Sequence, residues 1–266
     1  MDPSQSYDAP NLRSIFYPNS IAIVGATDKE GSVGSTLLKN LLHSDFSGEV
    51  FPVNPKRSHI LNTDCYPNLT ALPKKVDLAV IVIPARAVLS IIQECGRLRI
   101  PSAIIISAGF KELGKDGLAL EQQILAEASK SGLRIIGPNC LGVMNPHIHL
   151  NATFAAAMAL PGKIAFLSQS GAMCTAVLDW SLQAKIGFSA FVSIGSMADV
   201  DWGDLISYLG SDNNTDTIFI YMETIGNPSK FLSAVGVISQ KKPIIVIKPG
   251  KTCLLYTSPS PRDLST

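Results

Sequence analysis

The sequence predicts an α/β fold built from parallel, doubly wound sheets, and three observations support that prediction. Short apolar, β-branched runs alternate with helix-length segments along most of the chain. The run at 78–83 is apolar at every position, which is typical of a strand buried on both faces of a sheet. The strand–helix–strand order implies parallel strands that are joined by right-handed crossovers.

Two units of this kind follow one another. We predict the first domain over residues 12–146, after a disordered stretch at 1–11. Its predicted strands are 21–24, 49–53, 78–83, 103–106 and 133–136, and its predicted helices are 35–43, 87–97 and 118–131.

The second unit begins after a segment without a clear period, so residues 147–162 are predicted to be a linker. The second domain is predicted over residues 163–252. Its predicted strands are 163–167, 189–194, 217–222 and 243–248, and its predicted helices are 172–184, 202–209 and 229–239. Residues 253–266 are rich in Ser and Pro and follow no period. We interpret them as a non-native scar, with a disordered tail as the alternative.

The composition argues against several classes of protein. Of the 266 residues, 46% are hydrophobic and 16% are charged, which is typical of a well-packed globular chain. The net charge of +1 gives no electrostatic footprint for nucleic acid. No apolar run approaches the ~18 residues of a membrane helix, and the start does not resemble a secretory signal. The five cysteines form no Cys-x-x-Cys pair, so we expect no metal site and a cytoplasmic location. From the charge and the lack of long apolar runs, we expect no nucleic-acid or membrane partner.

The glycine-containing turn at 25–34 follows a predicted strand and opens a predicted helix. Glycine lets the backbone approach a pyrophosphate, and a helix N-terminus offers free N–H groups, so the turn is a candidate phosphate-binding site. An ordinary strand-to-helix turn is the alternative interpretation.

The loops after the next strands extend this candidate site. The second strand ends in Asn54-Pro55-Lys56-Arg57, where a nicotinamide site would usually place a carboxylate. Two cations there suit an adenosine with an extra ribose phosphate, as in CoA or NADP, and a solvated basic loop is the alternative. Small residues follow the third and fourth strands, at 84–85 and 107–109, and leave room for a ligand.

Two further junctions, each at the end of a predicted strand, are candidate ligand sites. A Gly-Pro-Asn-Cys loop at 137–140 follows the fifth strand, at the sheet edge where ligands bind in open α/β sheets. Cys140 is predicted to be a packed small residue, because no base lies near it in sequence. The second junction, Ser168-Gln169-Ser170-Gly171, heads a helix and suits an anion. It is not a serine-hydrolase elbow, because Ser168 occupies the first glycine position of Gly-x-Ser-x-Gly.

These motifs resemble the CoA-binding side of the nucleotide-diphosphate-forming acyl-CoA synthetases, the superfamily of succinyl-CoA synthetase, over about residues 12–252. The resemblance implies a Rossmann-type CoA-binding domain followed by an incomplete flavodoxin-like domain. It also implies CoA contacts from the glycine turn and from the strand-end loops. The residues at those positions are Gly25, Thr27, Asp28, Lys29, Glu30, Lys56, Pro84, Ser107, Ala108, Gly109, Asn139 and Cys140. Asp28 stands where succinyl-CoA synthetase usually has glycine.

In the resembling family, the helix after the second junction points at a phosphohistidine. The resemblance therefore implies that Ser168, Ser170 and Gly171 contact the phosphoryl group and that Glu223 orients the imidazole. The family's Ser-His-Thr-Gly motif is expected roughly ten residues after Lys251. The four histidines of this chain, at 43, 59, 147 and 149, do not match it.

The implied activity of the parent protein is the formation of acetyl-CoA, ADP and phosphate from acetate, ATP and CoA. We expect this chain to be inactive alone, because it lacks that histidine. The implied cofactor is coenzyme A, with Mg-ATP bound by an ATP-grasp domain or beta-type subunit outside the chain. The other implied partners are a small carboxylic acid and, in the full-length parent, further subunits of an oligomer.

Two alternatives stay open from the sequence. Residues 150–154 and 179–181 resemble bacterial proteins that fuse this module to a GNAT-type acetyltransferase, in which it would sense CoA or acyl-CoA. An NADP-dependent oxidoreductase would use only the glycine turn and the basic loop at 56–57.

Overall fold

The computed structural model describes residues 12–250, which form two large sheets flanked by helices. The predictions for residues 1–11 and 253–266 lie outside the described residues. The first part of the chain contains α1 (Arg13–Phe16), β1 (Ser20–Val24), α2 (Val33–His43), β2 (Glu49–Val53), β3 (His59–Ile60), β4 (Thr63–Asp64), β5 (Leu78–Ile81), α3 (Ala85–Leu98), β6 (Ser102–Ile105), α4 (Lys115–Ser131) and β7 (Arg134–Ile136).

The first sheet is parallel throughout, in the order β2-β1-β5-β6-β7. Helices pack on both faces of this sheet, so successive residues of a strand point alternately into two hydrophobic clusters, one on each face. Ile21 and Ile23 pack with α1 and α2, whereas Ala22 and Val24 pack with α3 and α4. The strand order reverses between β1 and β5, and ligands of open α/β sheets bind at the carboxyl ends of strands at such a switch point.

The second sheet is mixed and has six strands. Its elements are β8 (Gly142–Asn145), β9 (Leu150–Thr153), β10 (Leu160–Ser168), α5 (Gly171–Gln183), β11 (Gly187–Ser193), α6 (Trp202–Gly210), β12 (Thr217–Tyr221), α7 (Pro228–Ile238) and β13 (Ile244–Ile247). The order is β13-β12-β10-β11-β8-β9. The four strands from β10 to β13 are parallel, and β8 is antiparallel to both of its neighbours.

The structure corrects the predicted linker at 147–162. This segment contains β9 and the first residues of β10, and β9 pairs with β8 in a hairpin at the edge of the second sheet. All four residues of β9 are buried, and its sequence Leu150-Asn151-Ala152-Thr153 does alternate apolar and polar residues, but four residues are too few to establish a strand period. β8 lies within the range of the predicted first domain and pairs in the second sheet.

Besides β8 and β9, three other short elements escaped the sequence prediction. These are the four-residue α1 and the two-residue strands β3 and β4, which pair with each other. Elements of this length span too few residues to show a hydrophobic period.

The second domain also covers the open edge of the first sheet. Backbone N–H groups of segment 196–200 donate to carbonyls of 135–138 at 2.8–3.1 Å, and the two segments run in opposite directions. Segment 196–200 therefore protects the edge strand β7, whose N–H and C=O groups would otherwise be open to other chains. No helix among residues 12–250 has the length and apolarity needed to cross a membrane.

Candidate functional site

The carboxyl edge of the first sheet and the head of α5 enclose a cleft of about 560 Å³, which we call the central cleft. It unites the two junctions that the sequence analysis singled out separately. It is lined by Val33, Val82, Ile83, Pro84, Ile106, Ser107, Ala108, Asn139, Cys140, Leu141, Phe154, Gln169 and Gly171. Most of these side chains are apolar, and the polar ones, Ser107, Asn139 and Gln169, come from the loops after β6, β7 and β10, as expected of a small-molecule site.

A second cleft of about 450 Å³, the outer cleft, lies over the ends of β1 and β2. Gly25, Asn54 and Lys56 line it, and it shares Ile83 and Pro84 with the central cleft. A third cleft of about 770 Å³ is lined by Pro84, Ala108 and Gly109 among others. The shared residues make the clefts adjoin, so an elongated ligand can extend from Lys56 to the head of α5.

The glycine turn has the backbone that a close approach requires. Gly25 has φ +97°, and a Cβ there would lie 2.2 Å from the carbonyl oxygen of Val82. A Cβ on Gly34 would lie 2.5 Å from the carbonyl oxygen of Gly25. Only glycine fits both positions, so α2 begins directly against the end of β1.

The basic loop after β2 is tied to this turn. The Asn54 side chain donates to the carbonyl of Ala26 at 2.7 Å, and Arg57 pairs with Asp28 at 3.2 Å. Arg57 is therefore partly neutralised, whereas Lys56 makes no ion pair with any described residue and lines the outer cleft. The structure thus distinguishes two cations that the sequence left equivalent.

Four predicted residues of the turn lie apart from the clefts. Thr27, Asp28, Lys29 and Glu30 are not among the lining residues, and the last three are exposed. The Thr27 hydroxyl accepts the N–H of Lys29 at 3.2 Å.

The Gly-Pro-Asn-Cys loop is held by the loop after β6. The Asn139 N–H donates to the carbonyl of Ser107 at 2.9 Å, and the Ser107 hydroxyl accepts the N–H of Ile83 at 3.1 Å. Asn139 has φ +55° and is exposed. These bonds join the ends of β5, β6 and β7, so the polar floor of the central cleft is preorganised.

Cys140 is buried beneath this loop, and its Sγ contacts the carbonyl oxygen of Ile105 at 3.3 Å. Burial raises the pKa of the Cys140 thiol to about 12. A thiol with such a pKa is protonated at neutral pH and is a poor nucleophile. This supports the prediction that Cys140 is a packing residue.

At the head of α5, the two serines have different surroundings. Ser168 is fully buried, and its hydroxyl accepts the N–H of Ser170 at 3.0 Å. The Ser170 hydroxyl accepts the N–H of Met173 at 3.3 Å and caps the helix. Of the three predicted residues, Gly171 lines the central cleft, and open space lies where its Cβ would stand. The Ser168 hydroxyl bonds to both the N–H and the carbonyl of Ser170, so it stabilises the turn that leads into α5.

Glu223 follows β12 at the same edge of the second sheet and is half-buried. Its backbone N–H donates to the side-chain oxygen of Gln169 at 2.7 Å. Sequence reasoning missed Gln169, although it stands between the two serines of the singled-out junction. Among residues 12–250, no three His, Cys, Asp or Glu side chains form a group that could hold a metal ion.

Two family models match the chain. Residues 19–146 match a CoA binding domain, and residues 161–254 match a succinyl-CoA ligase like flavodoxin domain.

The relatives point the same way. The chain is 45% identical over 241 residues to the ADP-forming acetate–CoA ligase I of Archaeoglobus fulgidus, covering 91% of this chain and 35% of the relative. It is 42% identical over 246 residues to the alpha subunit of the ADP-forming acetate–CoA ligase I of Pyrococcus furiosus, covering 91% and 53%. The chain thus spans about a third to a half of the length of these curated relatives.

A solved structure agrees in fold. The dinucleotide-forming acetyl-coenzyme A synthetase 1 of Ca. Korarchaeum cryptofilum, in complex with phosphate and ADP, superimposes with a TM-score of 0.87 at 40% identity. The match covers 91% of this chain and 52% of that one.

The fold and the matches define a Rossmann-like CoA-binding domain joined to a succinyl-CoA ligase-like domain. The chain belongs to the NDP-forming acyl-CoA synthetase family, and the two relatives named above are ADP-forming acetate–CoA ligases.

Proposed function

We propose that this chain is the CoA-binding portion of an ADP-forming acyl-CoA synthetase that takes acetate or another small carboxylic acid. The observation that supports the proposal best is that the outer and central clefts adjoin at Ile83 and Pro84. Together the two clefts extend from Lys56, a cation that makes no ion pair among residues 12–250 and suits a ribose phosphate, past Pro84 and Asn139 to the head of α5. A pyridine-nucleotide oxidoreductase would need the outer cleft and would leave the junction with α5 without a role.

In this proposal the thiol end of CoA lies in the central cleft near Asn139 and Gly171. Gly171 and the first turn of α5 present N–H groups and a positive dipole end to a phosphoryl group. Glu223 accepts the far N–H of the imidazole that carries this group, which makes the other nitrogen a better nucleophile. That histidine and the ATP-grasp part come from outside residues 12–250.

The reaction then takes three displacements. In the first, outside the described residues, the imidazole nitrogen attacks the γ-phosphorus of ATP, and ADP leaves. A carboxylate oxygen of the acid attacks the phosphorus, and the histidine leaves, which gives an acyl phosphate. The CoA thiolate attacks the acyl carbon, and inorganic phosphate leaves. The described residues bind CoA and stabilise the phosphoryl group, so we expect the chain alone to bind CoA without ligase turnover.

Titration calorimetry of the purified chain tests this proposal. We expect heat of binding with CoA and none with NADPH. Lys56→Glu should weaken CoA about tenfold, because it replaces a charge-assisted contact to phosphate with repulsion. Dephospho-CoA, which lacks the ribose phosphate, should bind wild type and Lys56→Glu within about twofold of each other.

Lys241→Glu is the matched control, because Lys241 is an exposed lysine after α7 and lines none of the three clefts. It should leave the CoA affinity unchanged. Heat with NADPH and none with CoA would contradict the proposed function. Equal losses for CoA and dephospho-CoA would place Lys56 away from the ribose phosphate.

A further inference from the structure

The Gln169 side chain bridges the head of α5 and the loop after β12. Its Oε1 accepts the backbone N–H groups of both Glu223 and Thr224, each at 2.7 Å. Its Nε2 donates to the Thr224 hydroxyl at 2.8 Å. One neutral side chain therefore makes three hydrogen bonds to two consecutive residues, and two of the bonds hold main-chain atoms.

The loop has few other anchors near Glu223. The ladder between β12 and β13 is followed by one more bond, from the N–H of Met222 to the carbonyl of Ile247 at 2.9 Å. Beyond it, the buried Trp202 ring donates its N–H to the carbonyl of Thr224 at 2.9 Å. Residues 224–229 are exposed, so the direction of the chain at Glu223 depends on Gln169.

Gln169 also belongs to the ligand site. It lines the central cleft together with Asn139 and Gly171. Its own N–H donates to the carbonyl of Tyr221 at 3.2 Å, which aligns the two loops side by side. The residue therefore lines the cleft and is bonded directly to the backbone of Glu223.

We propose that Gln169 is a positioning residue for phosphoryl transfer, which holds the loop of Glu223 in register with the head of α5. The inference rests on the proposed function, because it gives Glu223 the task of orienting an imidazole. Orientation within a fraction of an ångström matters for such a group, and fixed backbone bonds supply it without a conformational search. Two backbone N–H groups that lose their acceptor would instead turn to water and release the loop.

Amide hydrogen exchange of the purified chain tests the three hydrogen bonds from Gln169 to Glu223 and Thr224, which we call the Gln169 clamp. Gln169→Leu keeps the size of the side chain and removes all three bonds. We expect the amides of Glu223 and Thr224 to exchange at least about tenfold faster in this variant. Gln169→Glu keeps an acceptor for both amides, with the Thr224 hydroxyl as donor, and should restore slow exchange. Gln183→Leu, an exposed glutamine at the end of the same helix, should leave both rates unchanged.

Kinetics of the full-length ligase test the role in the reaction. In Gln169→Leu, kcat should fall at least about tenfold while KM for CoA stays within about twofold. Because Gln169 acts through Glu223, the double variant with Glu223→Gln should be no slower than Glu223→Gln alone. A residue that merely stabilised the fold would cost the same in both backgrounds.

Four outcomes overturn the inference, one of them together with the proposed function. If the amides of Glu223 and Thr224 exchange at the same rate in Gln169→Leu as in wild type, Gln169 does not hold this loop. If the losses in kcat of Gln169→Leu and Glu223→Gln are fully additive, Gln169 does not act through Glu223. A full-length wild type that lacks ligase activity overturns the proposed function, and the inferred role in phosphoryl transfer falls with it. An active wild type beside an equally active Gln169→Leu overturns this inference alone.

Discussion

At the residue scale, the buried cysteines show how position decides chemistry. Cys140 and Cys174 lie beside the site, one below the Gly-Pro-Asn-Cys loop and one in the first turn of α5, and both are buried. Burial raises the pKa of each thiol to about 12. Both thiols therefore pack as small apolar groups, although they lie next to the proposed phosphoryl-binding site.

This burial makes stability depend on alkaline pH. An unfolded cysteine loses its proton near the ordinary value of 9.0, whereas folded Cys140 keeps it to about pH 12. Between these values the unfolded state binds fewer protons, so rising pH favours unfolding. We expect Cys140 to lower the free energy of unfolding by about 1.4 kcal/mol per pH unit above about pH 9.

Urea unfolding at several pH values measures this effect. Cys140→Ser keeps a donor for the Ile105 carbonyl and does not titrate in this range, so its stability should fall less steeply with pH. Parallel slopes for wild type and Cys140→Ser would contradict the argument, as would reaction of Cys140 with a thiol reagent in the native protein.

At the scale of elements, the loop between β7 and β8 is shaped by backbone geometry. Gly137 has φ +101°, and a Cβ there would lie 2.4 Å from the carbonyl oxygen of Ile105. The loop therefore passes directly over the end of β6, which places Asn139 at the central cleft.

Gly137→Ala tests this geometry. An alanine there meets both an unfavourable φ and a backbone oxygen, so we expect a loss of at least about 2 kcal/mol of stability. Gly236→Ala is the matched control, because Gly236 lies exposed inside α7 with open space around it. That change should stabilise the protein by about 0.5–1 kcal/mol. Chemical denaturation measures the free energy of unfolding of both variants. A Gly137→Ala protein as stable as wild type would contradict the argument.

At the scale of the whole molecule, charges join the two domains. Arg134 of β7 pairs with Asp199 at 3.0 Å and with Asp204 of α6 at 2.9 Å. Lys230 of α7 pairs with Asp204 at 2.7 Å and with Asp201 at 3.2 Å. The Arg134 side chain is only 14% exposed, and that of Asp204 only 7%. These ion pairs lie beside segment 196–200, so charge and backbone pairing hold the same edge.

Arg134→Leu should therefore weaken the junction of the domains. The change leaves Asp199 without its cation, and Asp204 keeps only Lys230. We expect a loss of about 2–3 kcal/mol, below the range for fully buried pairs because Asp199 is partly exposed. Lys130→Leu, which breaks an exposed pair with Glu127, should cost under about 1 kcal/mol. Scanning calorimetry should show a lower or split transition for Arg134→Leu, and an unchanged one would contradict this role.

Much of the fold could be predicted from sequence. The five strands of the first sheet and the four parallel strands of the second appear at the predicted places, because strands buried on both faces leave unmistakable apolar runs. Gly25, Lys56, Pro84, Asn139 and Gly171 were singled out and line the clefts. The phosphoryl contact that the resemblance implies for Ser168 stays a prediction, and the structure shows its side chain fully buried, because the sequence of a turn does not reveal which hydroxyl points inward.

The sequence by itself determined the succession of strands and helices along the chain, the glycine-containing turn and the family, because these depend on local patterns. Only the tertiary structure decided that β8 and β9 join the second sheet and that segment 196–200 covers β7. The same is true of the clamp between Gln169 and Glu223, two residues that lie 54 positions apart. Such contacts arise when distant segments meet across sheet edges, and a local pattern carries no information about which segments meet.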